Sequence, residues 1–387
     1  MARMQFDIAV VGAGIAGSSI AAHLAEGCSV GLLEMEEAPG FHSTGRSAAI
    51  YIDFYGNETI RALTAASKAF FQAPPPGFAE FSLLRDRSIL VVARENQLGS
   101  LAALVDETRG RVSYEWLSAH DAAVLCPVLD DSKFAAAAMT RGAADIDVNA
   151  LQAGYLRLLR ERGGVLVTNA RVTALERRED GWLIKAGDEE ILAGKLVNAA
   201  GAWAGEIGAL AGARDIGMAT LRRSAALVDV PKGMSPVDWP GVLDVDEQFY
   251  MKPEAGLLMI SPADETSVEP GDVQPEELDI AIAVDRIQGI THLDVTRVKH
   301  KWAGLRCFVA DRSPVVGFDP VAPNFFWMAA LGGYGIQTAP ALGRLAADLV
   351  QGVDTKLALA RLGLEENALS PSRQQIGIRP TGKPVLV

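Results

Sequence analysis

The segment 6–34, FDIAVVGAGIAGSSIAAHLAEGCSVGLLE, constrains the fold more than any other stretch. A short apolar run leads to Gly12-Ala13-Gly14-Ile15-Ala16-Gly17, small residues follow, and a second apolar run ends at Glu34. This order predicts a strand, a glycine turn, a helix and a second strand. In such a unit the three glycines make the turn, let backbone N–H groups approach a pyrophosphate, and let the helix pack on the strands.

The position of Glu34 indicates which ligand this unit holds. An acid at the end of the second strand can accept hydrogen bonds from both ribose hydroxyls of a dinucleotide, and the helix N-terminus faces the phosphates. We therefore predict a dinucleotide site, the alternative being a glycine-rich turn of some other α/β protein. Glu34 argues against a 2′-phosphorylated nicotinamide cofactor, because two negative charges would meet there.

Composition narrows the class of protein. The chain has 387 residues, of which 49% are hydrophobic, and this predicts a globular protein of two domains or one intertwined pair. A net charge of −12 without a basic block gives no support to nucleic-acid binding or to attachment to anionic lipid. Cys28, Cys126 and Cys307 are interpreted as reduced packing residues, and MARMQ leads directly into the first strand. We expect a cytoplasmic protein without a metal site.

The later part of the chain changes its pattern. Strands interrupted by few helices predict a mostly antiparallel sheet in a second domain. The uncharged segment 324–343 is long enough to span a bilayer, but its glycines and Pro340 favour strand, turn and helix, so we predict no transmembrane segment. Asp145 and Asp147 are interpreted as turn and cap residues of a helix over 149–162. The glycines around Tyr334 lead into another helix N-terminus, which is a second place to hold negative charge.

Five motifs in order now carry a resemblance: GAGIAG, FHSTGRSAA, LVNAAGAWA, WAGLR and GGYGIQT. Together they resemble the FAD-dependent D-amino-acid oxidoreductases over essentially the whole chain, and within that family they are similar to the D-arginine dehydrogenases. The resemblance implies an α/β (α+β) fold in which a Rossmann-like FAD-binding domain is interleaved with a substrate domain on a mostly antiparallel sheet. We assign 1–85, 142–205 and 303–387 to the first domain and 86–141 and 206–302 to the second.

The resemblance also implies one FAD bound without a covalent bond. The residues implied to contact it are Gly12, Gly14, Ile15, Ala16, Gly17, Glu34 and Met35 at the ADP part; Ser43, Thr44, Arg46, Ser47, Ala48 and Ala49 along the flavin; Val172 at the adenine; Ala200, Gly201 and Trp203 at the ribityl and dimethylbenzene parts; and Gly333, Tyr334, Gly335, Ile336, Gln337 and Thr338 at the flavin pyrimidine.

For the substrate, the resemblance implies that Arg306, Arg223 and Tyr250 hold a carboxylate, with Tyr55 near the entrance or the amine and Gly333 beside them. Arginine offers parallel donors that match a carboxylate. The implied reaction is hydride transfer to flavin N5, giving an imino acid that water hydrolyses to a 2-oxo acid and ammonia. Oxidation of a secondary amine or a 2-hydroxy acid, or a catalytically silent flavin-binding subunit, are the alternatives. The electron acceptor is left open among oxygen, a quinone and other compounds.

Departures from the D-arginine dehydrogenases concern the side-chain pocket. Ser88 stands where those enzymes have a glutamate that binds the substrate guanidinium, and Ile50 and Ile52 replace polar residues. Gly241 and Leu243 replace a larger pocket wall. We therefore expect an apolar cavity without a compensating charge and a substrate with a less polar side chain. Asp53 is the alternative source of an acid.

Overall fold

The computed structural model describes residues 4–373 and residue 376. The strands in these residues are β1 Met4–Val11, β2 Val30–Leu33, β3 Ile50–Tyr51, β4 Leu84–Asp86, β5 Ile89–Ala93, β6 Glu115–Ser118, β7 Ala136–Thr140, β8 Ala144–Ile146, β9 Val165–Val167, β10 Val172–Arg178, β11 Gly181–Ala186, β12 Glu189–Asn198, β13 Ala219–Val228, β14 Gly241–Asp244, β15 Tyr250–Glu254, β16 Leu257–Ser261, β17 Thr266–Ser267, β18 Val298–Phe308, β19 Val315–Phe318 and β20 Phe325–Ala329.

The helices in the same residues are α1 Ile15–Leu24, α2 Glu58–Gln72, α3 Leu98–Glu107, α4 Ala119–Leu125, α5 Val148–Glu161, α6 Ala204–Leu210, α7 Glu277–Gln288, α8 Gly335–Val350 and α9 Lys356–Arg361, with short 3₁₀ turns at Glu95–Gln97 and Gly201–Trp203. Asp147 caps α5 by accepting a hydrogen bond from the backbone N–H of Ala150 at 2.8 Å. None of the helices in the described part of the chain is both long and apolar enough to cross a bilayer.

The first sheet has a parallel centre. Its strands β9, β2, β1, β12 and β20 pair in parallel in that order, and β10 and β11 extend it by antiparallel pairing. In β1, Ile8 and Val10 pack into one core and Ala9 and Val11 into another, which explains why the second half of this strand is apolar without a break. The carboxyl ends of the parallel strands meet at one edge, where ligands of such folds bind.

The second sheet is mostly antiparallel and runs in the order β17-β13-β16-β15-β14-β5-β7-β6, with β18 also paired to β13. Only the pair β14–β5 among these described strands is parallel. A small third sheet joins β3, β8 and β4. The predicted fold class, a Rossmann-like domain interleaved with a mostly antiparallel one, is thereby confirmed. Strand β18 crosses the boundary expected near residue 303 without a break, and the domain limits stay a prediction.

Candidate active site

The glycine turn after β1 forms a close backbone cradle. Gly12 has φ +96°, and a Cβ atom there would lie 2.5 Å from the carbonyl oxygen of Ala199. Gly17 lies so close to the turn that a Cβ atom would strike the carbonyl oxygen of Gly12. Helix α1 begins at Ile15, directly after the turn, with Gly14 as its N-cap. The turn and the helix end therefore offer backbone to a phosphate, as the sequence predicts.

Glu34 directly follows β2, beside this turn, and is 6% exposed. Its Oε2 accepts a hydrogen bond from the N–H of Ala13 at 2.9 Å, and its Oε1 accepts one from the N–H of Glu36 at 3.0 Å. Each carboxylate oxygen has a further lone pair, so the group can also accept from ribose hydroxyls. A buried acid fixed at this place fits the ribose of a dinucleotide.

The loop that follows closes over the same cavity. Thr44 accepts a hydrogen bond from the N–H of Ile15 at 3.0 Å through its hydroxyl, and the hydroxyl of Ser43 donates to the carbonyl of Leu305 at 2.7 Å. Arg46 is expected from the sequence to lie along the flavin. It does line the cofactor cavity, and its guanidinium also donates to Asp272 at 2.6 Å and to the carbonyls of Val273 and Ala303 at 3.2 Å each. This side chain ties the loop to the second domain.

One continuous cavity runs from Glu34 to the second sheet. The implied cofactor contacts that line it are Gly12, Gly14, Ile15, Ala16, Glu34, Met35, Ser43, Thr44, Arg46, Ser47, Ala48, Val172, Ala200, Gly201, Trp203, Gly333, Gly335 and Ile336. Ala49 and Gln337 instead line an adjoining cavity, which also has Ile50, Tyr55, Tyr250 and Arg306 in its wall. This second cavity is called the substrate cavity below, after the role proposed for it. Gly17, Tyr334 and Thr338 are not among the described residues that line either cavity. The Thr338 hydroxyl donates to the carbonyl of Tyr334, the N-cap of α8. The glycine turn after β1, the carboxylate of Glu34 and the N-termini of α1 and α8 together fit an FAD molecule.

Sequence reasoning missed part of the wall of this cavity. Met259, Trp302 and Gly304 also line it. Gly304 and Trp302 lie two and four residues before Arg306 in β18, and alternate residues of a strand share one face. That periodicity could have identified both of them once Arg306 was placed in the site.

Arg306 lies deep in the protein and is exposed only toward the two cavities. Among the described residues its guanidinium donates from Nη1 to the hydroxyl of Tyr55 at 3.3 Å. Burial lowers the pKa of the guanidinium, but the phenols of Tyr55 and Tyr250 outweigh it, so that the pKa of Arg306 is raised. A Cβ atom on Gly333 would lie 2.6 Å from Nη1, so any larger residue there would displace the guanidinium from its present position. The site therefore holds a permanent cation that faces a cavity.

Arg223 lines both cavities and is held from behind. Its Nε donates to the carbonyl of Asp264 at 2.7 Å, and its Nη2 pairs with Glu265 at 3.2 Å. Glu265 also pairs with Arg312 at 2.7 Å, and the Arg312 guanidinium lies 3.7 Å above the Phe308 ring. Arg223 therefore lies in the wall of both cavities, and its contact with a substrate carboxylate stays a prediction.

Arg222, the neighbour of Arg223 in β13, lies on the opposite face of the strand and is also buried. Arg222 is only 6% exposed, because α7 covers the opposite face of the sheet. Its guanidinium pairs with Glu276 at 2.7 Å and with Asp279 at 2.9 Å. Strand alternation separates the two arginines, and both faces of the strand are buried.

Tyr55 and Tyr250 complete the polar part of the substrate cavity. Burial raises the pKa of the Tyr55 phenol, the Glu247 carboxylate raises it further, and Arg306 and Arg223 lower it in part. Tyr55 is therefore a neutral phenol that accepts from Arg306 and has its own proton to donate. Its ring packs edge-on against Tyr334, with centroids 5.0 Å apart.

The side-chain part of the cavity differs from the expectation in two residues, Ser88 and Gly241. Ile50, Ile52 and Leu243 line it, with Phe249 and Met251. Ser88 and Gly241 are not among the described residues that line it: the carbonyl of Ser88 accepts from the N–H of Gly241 at 2.9 Å, at the start of the β5–β14 pair.

Asp53 does not line the cavity either. Its carboxylate pairs with Lys68 at 3.2 Å, outside the set of described lining residues. However, Glu247 and Asp244 do line the cavity. The expectation of a cavity without a carboxylate is therefore wrong. No pattern around Glu247 distinguished it in the sequence, since it belongs to an acidic turn, DVDEQ.

His42 and Cys307 also line the cofactor cavity. The imidazole of His42 packs on Trp203 with ring centroids 4.6 Å apart, and its Nε2 lies 2.9 Å from Glu36. Burial raises the pKa of the Cys307 thiol to about 12, with a hydrogen bond to Thr220 acting in the opposite direction. A thiol is nucleophilic as its thiolate, so this protonated Cys307 agrees with the expected non-covalent flavin.

Comparison with known proteins identifies the class. Residues 7–349 match the family model of the FAD dependent oxidoreductases (DAO), so this chain belongs to that family. It is an FAD-dependent oxidoreductase, with FAD as its cofactor. The residues above that form the cradle, the ribose acid and the second helix end are those that would hold the FAD.

Individual relatives are distant. FAD-dependent oxidoreductase domain-containing protein 1 of Bos taurus is 28% identical over 40% of this chain and 35% of its own length, so the chain spans about a third of that relative. The glycine oxidase structure from Geobacillus kaustophilus has a TM-score of 0.80 at 22% identity and covers 94% of this chain and 99% of its own. The L-proline dehydrogenase structure from P. horikoshii has a TM-score of 0.81 at 20% identity, covering 98% and 100%. These structures share the fold of this chain.

Proposed function

We propose that this chain oxidises a D-amino acid to the imino acid, which water then hydrolyses to a 2-oxo acid and ammonia. The observation that carries the proposal is Arg306, a cation deep in the protein whose hydrogen bond among the described residues goes to a neutral phenol. A buried cation without a counter-ion is costly, and a substrate carboxylate would supply one through two parallel hydrogen bonds. The resemblance of the sequence motifs to those of the D-arginine dehydrogenases supports the choice of a D-amino acid as substrate.

The other residues orient the substrate. Tyr250 and Arg223 line the cavity beside Arg306 and are placed to complete the carboxylate site. Bound FAD would supply the two-electron acceptor for the hydrogen on the substrate α-carbon. The role of the chain is then to hold that carbon in one orientation and to exclude water, which the apolar wall of Ile50, Ile52 and Leu243 does.

The wall also supports a preference among side chains. Burying an aliphatic side chain against it gains roughly 25 cal/mol per Å² of apolar surface removed from water. We therefore propose D-amino acids with a mainly apolar side chain, such as D-leucine and D-methionine, as substrates.

An anaerobic reduction panel tests the proposed function. The FAD-loaded enzyme is mixed without oxygen with D-amino acids, the matching L-amino acids, N-methyl amino acids and 2-hydroxy acids, and the flavin absorbance is followed. Bleaching by D-leucine and not by L-leucine is the expected result. Bleaching only by N-methyl amino acids or 2-hydroxy acids would replace the proposal, and no bleaching by any compound would indicate a flavin-binding subunit. Repeating the panel in air with peroxide detection identifies oxygen as acceptor or excludes it.

A further inference from the structure

Arg223 lines the substrate cavity from strand β13, but the residues that hold it are not part of the cavity wall. Its Nε donates to the carbonyl of Asp264 at 2.7 Å, and its Nη2 donates to Oε1 of Glu265 at 3.2 Å. Arginine has five N–H groups, so these two bonds leave three for a ligand in the cavities that Arg223 lines. Glu265 is not among the described residues that line either cavity. Its contact with a substrate therefore runs through Arg223.

Glu265 is attached to the same strand that carries Arg223. It directly precedes β17, which pairs with β13. The preceding residue, Asp264, accepts hydrogen bonds from the N–H of Ser224 at 2.7 Å and from the Ser224 hydroxyl at 3.0 Å. The Glu265 side chain is only 5% exposed. The backbone therefore fixes this carboxylate beside Arg223 and away from bulk water.

A second arginine shares the Glu265 carboxylate. Arg312, in the turn after β18, donates from Nη2 to Oε1 at 2.7 Å and from Nη1 to Oε2 at 3.2 Å. This is a bidentate pair, which fixes the plane of the carboxylate. The Arg312 guanidinium also lies 3.7 Å from the centroid of the Phe308 ring. Oε1 thus accepts from Arg223 and Arg312 at once, so two cations lie close together around one carboxylate.

The shared carboxylate stabilises this close placement of two cations. Like charges repel each other strongly where little water screens them, and a buried cation without a counter-ion is costly. The ionised Glu265 gives each guanidinium an opposite charge. Without that charge, Arg312 and Arg223 would repel each other. Arg223 borders two cavities, and it can turn away into that space.

We propose that Glu265 is a positioning residue for the substrate carboxylate. As the common counter-ion of Arg223 and Arg312, it holds the Arg223 guanidinium in the orientation in which its remaining N–H groups meet the carboxylate beside Arg306. Arg312 in turn fixes the plane of the Glu265 carboxylate. This inference rests on the proposed function for the carboxylate group of the substrate.

Equilibrium binding tests the inference without catalysis. 4-Methylpentanoate is D-leucine without its amine, and 4-methylpentanamide has the same shape without the charge. Each is titrated into the FAD-loaded enzyme while the flavin absorbance is followed. In the wild type the carboxylate should bind more tightly than the amide. In Glu265→Gln its dissociation constant should rise by on the order of tenfold, the effect of one misplaced charge-assisted hydrogen bond, while the FAD content and the binding of the amide stay the same.

A simple effect of charge has the opposite sign. If Arg223 kept its place in Glu265→Gln, the loss of a nearby negative charge would strengthen the binding of the carboxylate. Unchanged or tighter binding of 4-methylpentanoate would therefore overturn the inference. Equal weakening of the carboxylate and the amide would also overturn it, because it would indicate a general distortion of the cavity.

The double variant Glu265→Gln/Arg312→Met separates positioning from a loss of structure. Methionine removes the second cation and keeps an apolar chain against the Phe308 ring. Because the repulsion is relieved, the double variant should recover part of the carboxylate affinity that Glu265→Gln loses. If the single variant does not retain FAD, a carboxylate that still binds more tightly than the amide in the double variant is the expected result. Loss of that preference, or binding weaker than in the single variant, contradicts the inference.

Asp279→Asn is the matched control. Asp279 is the buried partner of Arg222, the neighbour of Arg223 on the opposite face of β13, and pairs with it at 2.9 Å. This variant removes the same charge from an arginine of the same strand. The free energy of unfolding should fall, and both dissociation constants should stay as in the wild type. Equally weakened carboxylate binding in Asp279→Asn would assign the effect to the strand as a whole and reject a specific role of Glu265.

Kinetics separate this inference from the proposed function. With D-leucine, Glu265→Gln should raise KM by the same factor as the dissociation constant of 4-methylpentanoate and leave kcat nearly unchanged. If no D-amino acid bleaches the flavin while the binding of the two analogues changes as expected, the proposed function is rejected and the positioning role stands. If D-leucine bleaches the flavin and the binding of the carboxylate does not change in Glu265→Gln, only the positioning role is rejected.

Discussion

At the scale of single residues, Arg306 and Arg222 are two arginines of the second sheet whose surroundings differ, so that Arg222 can serve as the control for Arg306. Arg306 faces the cavities, whereas Arg222 pairs with Glu276 and Asp279 of the covering helix region. Arg306→Met should raise KM for the substrate by roughly ten- to a hundredfold, because a charge-assisted hydrogen bond contributes about 1.5–3 kcal/mol. The FAD content should stay unchanged. Steady-state kinetics with the flavin absorbance spectrum measure both.

Arg222→Met is the control for this change. It leaves two acids of the far face without their partner, so the free energy of unfolding should fall while KM stays as in the wild type. Loss of flavin in Arg306→Met with an unchanged KM would assign that arginine to the cofactor. A raised KM in both variants would mean that the sheet as a whole had shifted.

At the scale of elements, the β1 turn and helix α1 depend on glycine at one position. Gly12→Ala introduces a Cβ atom 2.5 Å from the Ala199 carbonyl oxygen in a residue with φ +96°. The turn must move, so both the bound FAD and the thermal midpoint should decrease. Gly99→Ala is the matched change in α3, where an added Cβ meets no atom within 4 Å. It should keep the FAD content and stabilise the protein by up to about 1 kcal/mol. Equal FAD content in both variants would contradict the proposed cradle.

At the scale of the whole molecule, His23 links stability to pH. It lies in α1 near Tyr155, and neither of its ring nitrogens has a hydrogen-bond partner among the described residues. Burial lowers its pKa to about 4, helped by Arg344 and Arg162 and opposed by Glu26. The unfolded chain therefore binds a proton between pH 6.5 and 4 that the folded chain does not. His23 should contribute no pH dependence above pH 6.5 and a loss of about 3 kcal/mol by pH 4.

Urea unfolding of FAD-saturated protein at pH 7 and at pH 4.5 measures this loss. In His23→Leu the free energy of unfolding should fall less between the two pH values than in the wild type, because the group that takes up the proton is gone. The same fall in both proteins would assign the acid sensitivity to other groups.

Local pattern was sufficient for much of the fold. The run from Phe6 to Glu34 has its own turn chemistry and its own periodicity, and the structure places β1, α1 and β2 there. Glu34 lies beside the turn because β1, α1 and β2 are joined by short connections, and consecutive elements joined in this way are neighbours in space. The alternation along β13 likewise placed Arg223 and Arg222 on opposite faces. Local sequence pattern therefore determined the dinucleotide unit and the two kinds of sheet, whereas the arginines of the site were indicated by the family resemblance.

Only the tertiary structure decided which charges meet. Arg46 lines the cofactor cavity, but its guanidinium pairs with Asp272, 226 residues away, so its charge is already held by a distant acid. Arg222 is buried because a helix from later in the chain covers its face. Ser88 and Asp53 are not among the described residues that line the substrate cavity. Glu247 does line it, from a turn in which Asp244 accepts a hydrogen bond from the N–H of Asp246. Periodicity fixes the face of a strand on which a side chain lies, but the partner of that side chain depends on how distant segments pack, and no local pattern encodes that.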